Sequence, residues 1–209
     1  ATELEDIYLP YKVKRRTKAE IAREKGLEPL AKMIMAQNSN DLQAMAQPFV
    51  NNKVESVEDA LNGAKDIMAE WINESENARN AVRKTFSYEA VISSKIIKGK
   101  EEEAQKYRDY FDMNEKLSRC SSHRLLAIRR AEADGFLRVN ISPDDDNCIE
   151  KLERIFVKSN NASSDFVYEA VKHAYKRLLK PSIETEFAAA SKEKADTEAI
   201  RVFAENLKQ

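Results

Sequence analysis

Positive charge in this 209-residue chain is concentrated in three stretches. Lys12, Lys14, Arg15, Arg16 and Lys18 fall within seven residues that hold no acid. Residues 79–100 carry Arg79, Arg83, Lys84, Lys95, Lys98 and Lys100 against Glu89 alone. Residues 116–130 carry Lys116, Arg119, Arg124, Arg129 and Arg130 with no acid. Each stretch is net +5, so with an overall charge of −1 the remainder sums to −16. Side chains of this kind neutralise phosphates, which gives affinity for nucleic acid without sequence information. The candidate phosphate contacts are Lys12, Lys14, Arg15, Arg16, Lys18, Arg83, Lys84, Lys95, Lys98, Lys100, Arg124, Arg129 and Arg130. A solvated charged linker is the plain alternative for any single run. The near-neutral total argues against nucleic-acid binding by the bulk of the chain. The expectation therefore rests on a fold that gathers the three stretches on one face.

Other chemistry is hard to place. The chain has no Gly-rich phosphate loop, no His-Glu-x-x-His helix, no Gly-x-Ser-x-Gly elbow and no Cys/His cluster of metal spacing. Cys120 and Cys148 are isolated and read as thiols of a reducing cytoplasm. Asp144, Asp145 and Asp146 lack calcium-loop spacing and suit a helix N-terminus. His123 lies between Ser122 and Arg124, where it settles a helix end without chemistry. The expectation is no catalytic residue, no metal, no cofactor and no enzyme activity.

The elements that carry the basic side chains are mostly helices. Four glycines and five prolines in 209 residues, with 42% hydrophobic and 34% charged residues, describe a globular, helix-rich chain. No apolar run reaches membrane-spanning length, and no signal peptide is visible. Pro10 puts Tyr8 and Tyr11 on an extended arm. Thr17 and Glu20 read as a capping box, and Gly26 as a stop. Two short helices with a bend follow to about Gln37, then a turn or two from Asp41 to Ala46. Ser56 caps a helix from Val57 to Asn73. Ser75 starts another whose helical spacing continues to Gly99, and the pair resembles a helix-turn-helix hairpin. Glu101 to Tyr110 reads as helical, with Tyr107, Tyr110 and Phe111 as a packing edge. Ser122 caps a helix ended by Gly135. Phe136 to Ile141 alternates and is the one good strand candidate, with no partner in view. Asp144 to Asp146 open a helix through Phe156, and a loop at Ser159 to Ser164 leads to a helix from Asp165 to Leu179. A last helix begins at Pro181 and runs to the end of the chain. The expected core is Leu61, Ile67, Trp71, Val82, Phe86, Leu125, Ile128, Phe156, Phe166 and Phe187.

The run LEDIYLPYKVKRRTKAEIAREKGLEPLA (residues 4–31) resembles the signature of the Tex family of bacterial transcription accessory proteins, relatives of a eukaryotic elongation factor. So do ENARNAVRKTF, SKIIKGKEEEAQKYRDYFD, SSHRLLAIRRAEADGFLRV and AIRVFAENLKQ, in the same order across nearly the whole chain. The resemblance implies part of a longer protein that continues into RNase H-like, helix-hairpin-helix and OB-fold RNA-binding domains. The start on Ala-Thr and the stop within an amphipathic helix fit that expectation. Three positions depart from the family pattern. Ser121 stands where proline is usual and Ala131 where glycine is usual, which questions any contact needing close backbone approach, and Val13 stands where proline is common, which should leave the arm more flexible.

Together these readings predict a mainly α, multi-helix assembly with helix-turn-helix-like hairpins, a long C-terminal helix and at most one small β element. The expected organisation is an extended arm over 1–17, a helical region over 18–135, and a strand plus helices over 136–209 leading into downstream domains. The expected function is a non-catalytic cytoplasmic module whose partners are RNA or DNA phosphates, the transcription machinery and the downstream domains, with no membrane. The alternative is a protein-interaction scaffold that docks RNA polymerase or other domains of the same protein.

Overall fold

The computed structural model describes residues 16–206. It is mainly α, 69% helical, with one small antiparallel sheet. Two compact units appear, each made from two stretches of chain: 16–82 with 146–181, and 83–145 with 182–206.

Unit 1 is helical. α1 (Lys18–Glu24) starts at Thr17, whose Oγ1 accepts from Glu20 N at 3.1 Å, and the chain leaves it through Gly26 at φ +79°. α2 (Glu28–Met35) has Pro29 in its first turn, where the missing N–H costs no helical bond. α3 (Leu42–Ala46) is capped by Asp41 and α4 (Val57–Glu74) by Ser56. α4 is the centre of the unit and packs against α1, α2 and α8 (Ala162–Ala174). Its apolar stripe buries Ala60, Ala64, Ile67, Met68 and Ile72 completely. Gly63 lets Leu27 come close: a Cβ there would lie 2.3 Å from Leu27 Cδ1.

The returning segment is fastened by Gln37, which is buried and holds φ +55°, a left-handed conformation uncommon for a side-chain-bearing residue. Gln37 Nε2 donates to Phe156 O at 2.8 Å, and its Oε1 accepts from Lys158 N at 2.7 Å. Asn161 Nδ2 donates to Gln37 O at 2.7 Å. α7 (Asp145–Phe156) precedes this latch. α8 begins at a capping box between Asn161 and Ser164, so the expected loop at Ser159 to Ser164 is already helix from Ala162. A π turn, Tyr175–Leu179, follows α8 without a break. It precedes Pro181, near the start of α9 (Lys180–Asn206). The wider turn gives the proline ring room against the preceding carbonyls.

Unit 2 corrects the expected helix to Gly99. α5 (Glu76–Glu89) stops ten residues earlier, and β1 (Val91–Ile96) begins. Val91, Ile92 and Ile96 are β-branched and favour the pleated conformation, while Ser93 and Ser94 hide the alternation. β1 is the centre of a sheet ordered β2-β1-β3, with β2 (Asp112–Lys116) and β3 (Leu137–Ser142) both antiparallel to it. The strand expected alone near 136–141 therefore pairs within the chain, with Ile92 opposite Ile141 and Glu115. Glu101 to Tyr110 is not a regular helix: only Gln105–Tyr110 forms a 3-10 turn. α6 (Ser122–Ala133) ends toward Gly135 at φ +76° and packs on β3, where Tyr107, Ala131 and Leu137 form a small core.

Of the expected core residues, Ile67, Val82, Phe86, Leu125 and Ile128 are buried. Leu61, Trp71, Phe156, Phe166 and Phe187 are only half-buried. On α9 Ile183 and Ala195 are buried, whereas Ile200 is 70% exposed. No helix among the described residues is long and apolar enough to cross a membrane.

Candidate nucleic-acid interface

Each basic stretch divides into cations held by the fold and cations left open. In the first, Lys12, Lys14 and Arg15 lie outside the described residues. Arg16 is exposed and pairs with Glu24 at 2.7 Å, while Lys18 is exposed in the first turn of α1. Both belong to unit 1.

In the second stretch Arg79 is buried. Arg83 on α5 is gripped by Glu186 on α9: Nε lies 2.9 Å from Oε1 and Nη2 3.1 Å from Oε2. Its side chain is 15% exposed, so this guanidinium is committed to the fold. Beside it Phe86 and Phe187 meet with ring centroids 5.3 Å apart, tilted by 43°. Lys84, Lys95 and Lys98 are exposed, without an ion pair among the described residues. Lys100 pairs with Glu103 at 2.9 Å on the surface.

The third stretch behaves similarly. Arg124 points from α6 to the sheet, pairs with Glu115 at 2.9 Å and touches Met113 Sδ at 3.4 Å. Arg129 pairs with Glu132 at 2.6 Å. Arg130 and the neighbouring Arg119 are exposed. Arg83 and Arg124 thus brace unit 2, Arg129 is paired within its own helix, and Lys84, Lys95, Lys98 and Arg130 are the expected site residues that its surface presents. Sequence reasoning overlooked Arg138 on β3 and counted Lys116 on β2 without selecting it, though both are exposed. The available signal was the alternation along β3.

A groove of about 980 Å³ lies in unit 2 between α9 and the start of α6, with Phe86, Leu126, Phe187 and Val202 among its apolar walls. Cys120 and His123 line it. Burial pushes the Cys120 thiol above its ordinary value, Glu115 adds to this, and Arg124 opposes it, so the thiol stays protonated at neutral pH. His123 is exposed, 3.4 Å from Ser121 Oγ. Ser122 Oγ donates to Glu198 of α9.

Unit 1 holds a smaller cavity of about 370 Å³, lined by Thr17, Asp66, Glu70, Asn73 and His173. His173 Nε2 lies 3.2 Å from Asp66 Oδ1. Burial lowers the His173 pKa below its ordinary value, with Asp66 acting in the opposite sense and Arg177 and Lys65 adding to the depression. The pair is thus a neutral imidazole donating to a carboxylate. Among the described residues no group of three or more His, Cys, Asp or Glu side chains is placed to hold a metal ion.

Residues 37–203 match a family profile described as Tex central region-like. The chain is 38% identical to the Transcriptional accessory protein Tex of Neisseria gonorrhoeae, covering 99% of this chain and 28% of that protein. It is 37% identical to Protein YhgF of Escherichia coli, again over 99% of this chain and 28% of the relative. An S1 RNA-binding domain-containing protein 1 from Homo sapiens is 27% identical over 99% of this chain and 22% of its own length. The chain thus spans under a third of the curated relatives it matches. It belongs to the Tex central region-like family.

Proposed function

We propose that this chain is a non-catalytic helical module of a transcription accessory protein, which contacts nucleic-acid phosphates without reading sequence and positions further domains of a longer protein. The names of its relatives, one a transcriptional accessory protein and another an S1 RNA-binding domain protein, support the setting. The observation that carries the reading is the division of the basic stretches. Some cations are paired into the fold, while Lys18, Lys84, Lys95, Lys98, Arg119 and Arg130 stand exposed without an ion pair among the described residues. Unpaired surface cations bind polyanions through released counterions, which demands neither a pocket nor base contacts.

The test is a salt titration of this chain against labelled DNA and RNA of unrelated sequences. Affinity should be weak, equal across sequences and steep in salt, with a log–log slope of about −0.9 per phosphate on duplex and −0.7 on single strands. Reversing Lys95 and Lys98 to Glu should weaken all sequences alike. The apolar wall of the groove beside α9 favours a second reading, a scaffold that docks RNA polymerase or other domains. Absence of binding at low salt would leave that reading in place of the first.

A further inference from the structure

One face of the three-stranded sheet is explained by packing. Ile92, Ile96, Leu137 and Ile141 point toward the side that carries α6, and there the cations are neutralised, Arg124 by Glu115 and Arg129 by Glu132. The opposite face follows from the two-residue period of a strand. Its central row is Asn114, Ser93 and Asn140, three hydrogen-bonding side chains directly across from one another. One flanking row is Asp112, Lys95 and Arg138; the other has Lys116 opposite Val91.

Three properties of this outer face point to one kind of ligand. First, Lys95, Lys116 and Arg138 are exposed and form no ion pair among the described residues, unlike the cations on the inner side. Lys95 stands between Arg138 on one neighbouring strand and Asp112 on the other, so one carboxylate offsets the like-charged pair only in part and the row keeps net positive charge for an anion. Second, Asn, Ser, Lys and Arg are side chains that bind phosphate oxygens. The face carries no aromatic ring on which an unpaired base would stack. Third, Lys116 and the Lys95–Arg138 pair sit at opposite ends of the strands, roughly 13–16 Å apart, comparable to the ~12 Å width of a duplex major groove.

We propose that the outer face of the β2-β1-β3 sheet docks the phosphate backbone of a double-stranded nucleic acid. This rests on the proposed phosphate-binding function and gives it a location: Lys95, Lys116 and Arg138 hold phosphates, and Asn114 and Asn140 hydrogen-bond between them.

The experiment is fluorescence anisotropy of the 209-residue chain with a labelled duplex and a single strand of equal length, each titrated with salt. The triple reversal Lys95→Glu, Lys116→Glu, Arg138→Glu is compared with a control reversal off the sheet at exposed lysines outside the three basic stretches, Lys25→Glu, Lys53→Glu, Lys192→Glu. Circular dichroism checks that both fold, and a Gln triple at the sheet positions serves if the reversal does not. The sheet triple should weaken duplex binding tenfold or more and flatten the log–log salt slope by roughly 2.7, three contacts at about 0.9 each. Asn114→Ala with Asn140→Ala should weaken binding without altering the slope. Equal loss in both triples, or loss in the control triple alone, overturns the assignment to the sheet while phosphate binding stands. Tighter binding of the single strand through the same three cations overturns the duplex. Failure of the unaltered chain to bind either probe overturns the proposed function and the sheet assignment together.

Discussion

Unit 1 places Leu30, Ala31, Ile34, Ala60, Ala64, Ile67, Ile72 and Ala174 at 0% exposure, an interior of aliphatic and small side chains drawn from several helices. Unit 2 buries Phe86, Ile92, Ile128 and Ile183 together with a small cluster of Tyr107, Ala131 and Leu137, and supplements this interior with ion pairs that join separate elements, Arg83 to Glu186 and Arg124 to Glu115. Apolar burial fills space without constraining direction, whereas a forked guanidinium on a carboxylate fixes how two elements meet. A unit with a thin sheet and short strands gains orientation from such pairs. The same unit leaves other cations uncommitted, and the contrast between committed and uncommitted charge is what identifies its candidate surface.

The sharpest test of the contrast is a deletion in the apolar interior. Ile67→Ala should cost about 2–5 kcal/mol of stability in urea unfolding, with little dependence on salt, because it removes packed methyl groups and leaves a cavity. A loss under 1 kcal/mol would show that unit 1 tolerates voids. Next in size is the ion pair of unit 2. Arg83→Met alone should cost roughly 1–3 kcal/mol, below the figure for a fully buried pair because both side chains retain some solvent contact. Adding Glu186→Leu should recover most of it, since the stranded carboxylate is then gone. A double variant as unstable as the single one would make the arginine's packing, not its charge, the important part.

The smallest effect concerns His173 in unit 1. Its folded pKa lies below the ordinary 6.5, so the unfolded chain takes up a proton that the folded chain refuses. The stability contributed by the neutral imidazole is complete above about pH 6.5 and is lost as pH falls through the folded value. Chemical denaturation between pH 7 and 5 should show this slope, and His173→Gln should flatten it. An unchanged slope would show that His173 is not the source of the acid sensitivity.

Much of the helical framework was legible because its signals are local. Ser56 before Val57, Thr17 before Lys18 and Gly135 after α6 mark boundaries through bonds or φ values that involve near neighbours. β1 was missed for the converse reason. Ala78, Val82, Phe86 and Ala90 continue a helical stripe up to the strand, and Ser93 and Ser94 break the apolar alternation that would have announced it. Its identity as a strand depends on pairing with residues 112–116 and 137–142. The candidate surface was legible in the same partial way. Stretches of charge can be counted along a sequence, but whether Arg83 is open depends on Glu186, 103 residues away.

The interleaving of the units bears on how the chain leaves the ribosome. α4 finds its partner α8 only after the intervening residues 75–161 have been made, an interval of about 4–17 s at roughly 5–20 residues per second. During that delay the stripe through Ala60, Ile67 and Ile72 has α1 and α2 to cover it but not α8. During synthesis that part of the apolar stripe is open to solvent. The latch at Gln37, whose amide grips Phe156 and Lys158 together, can form only once the chain has returned to cover it.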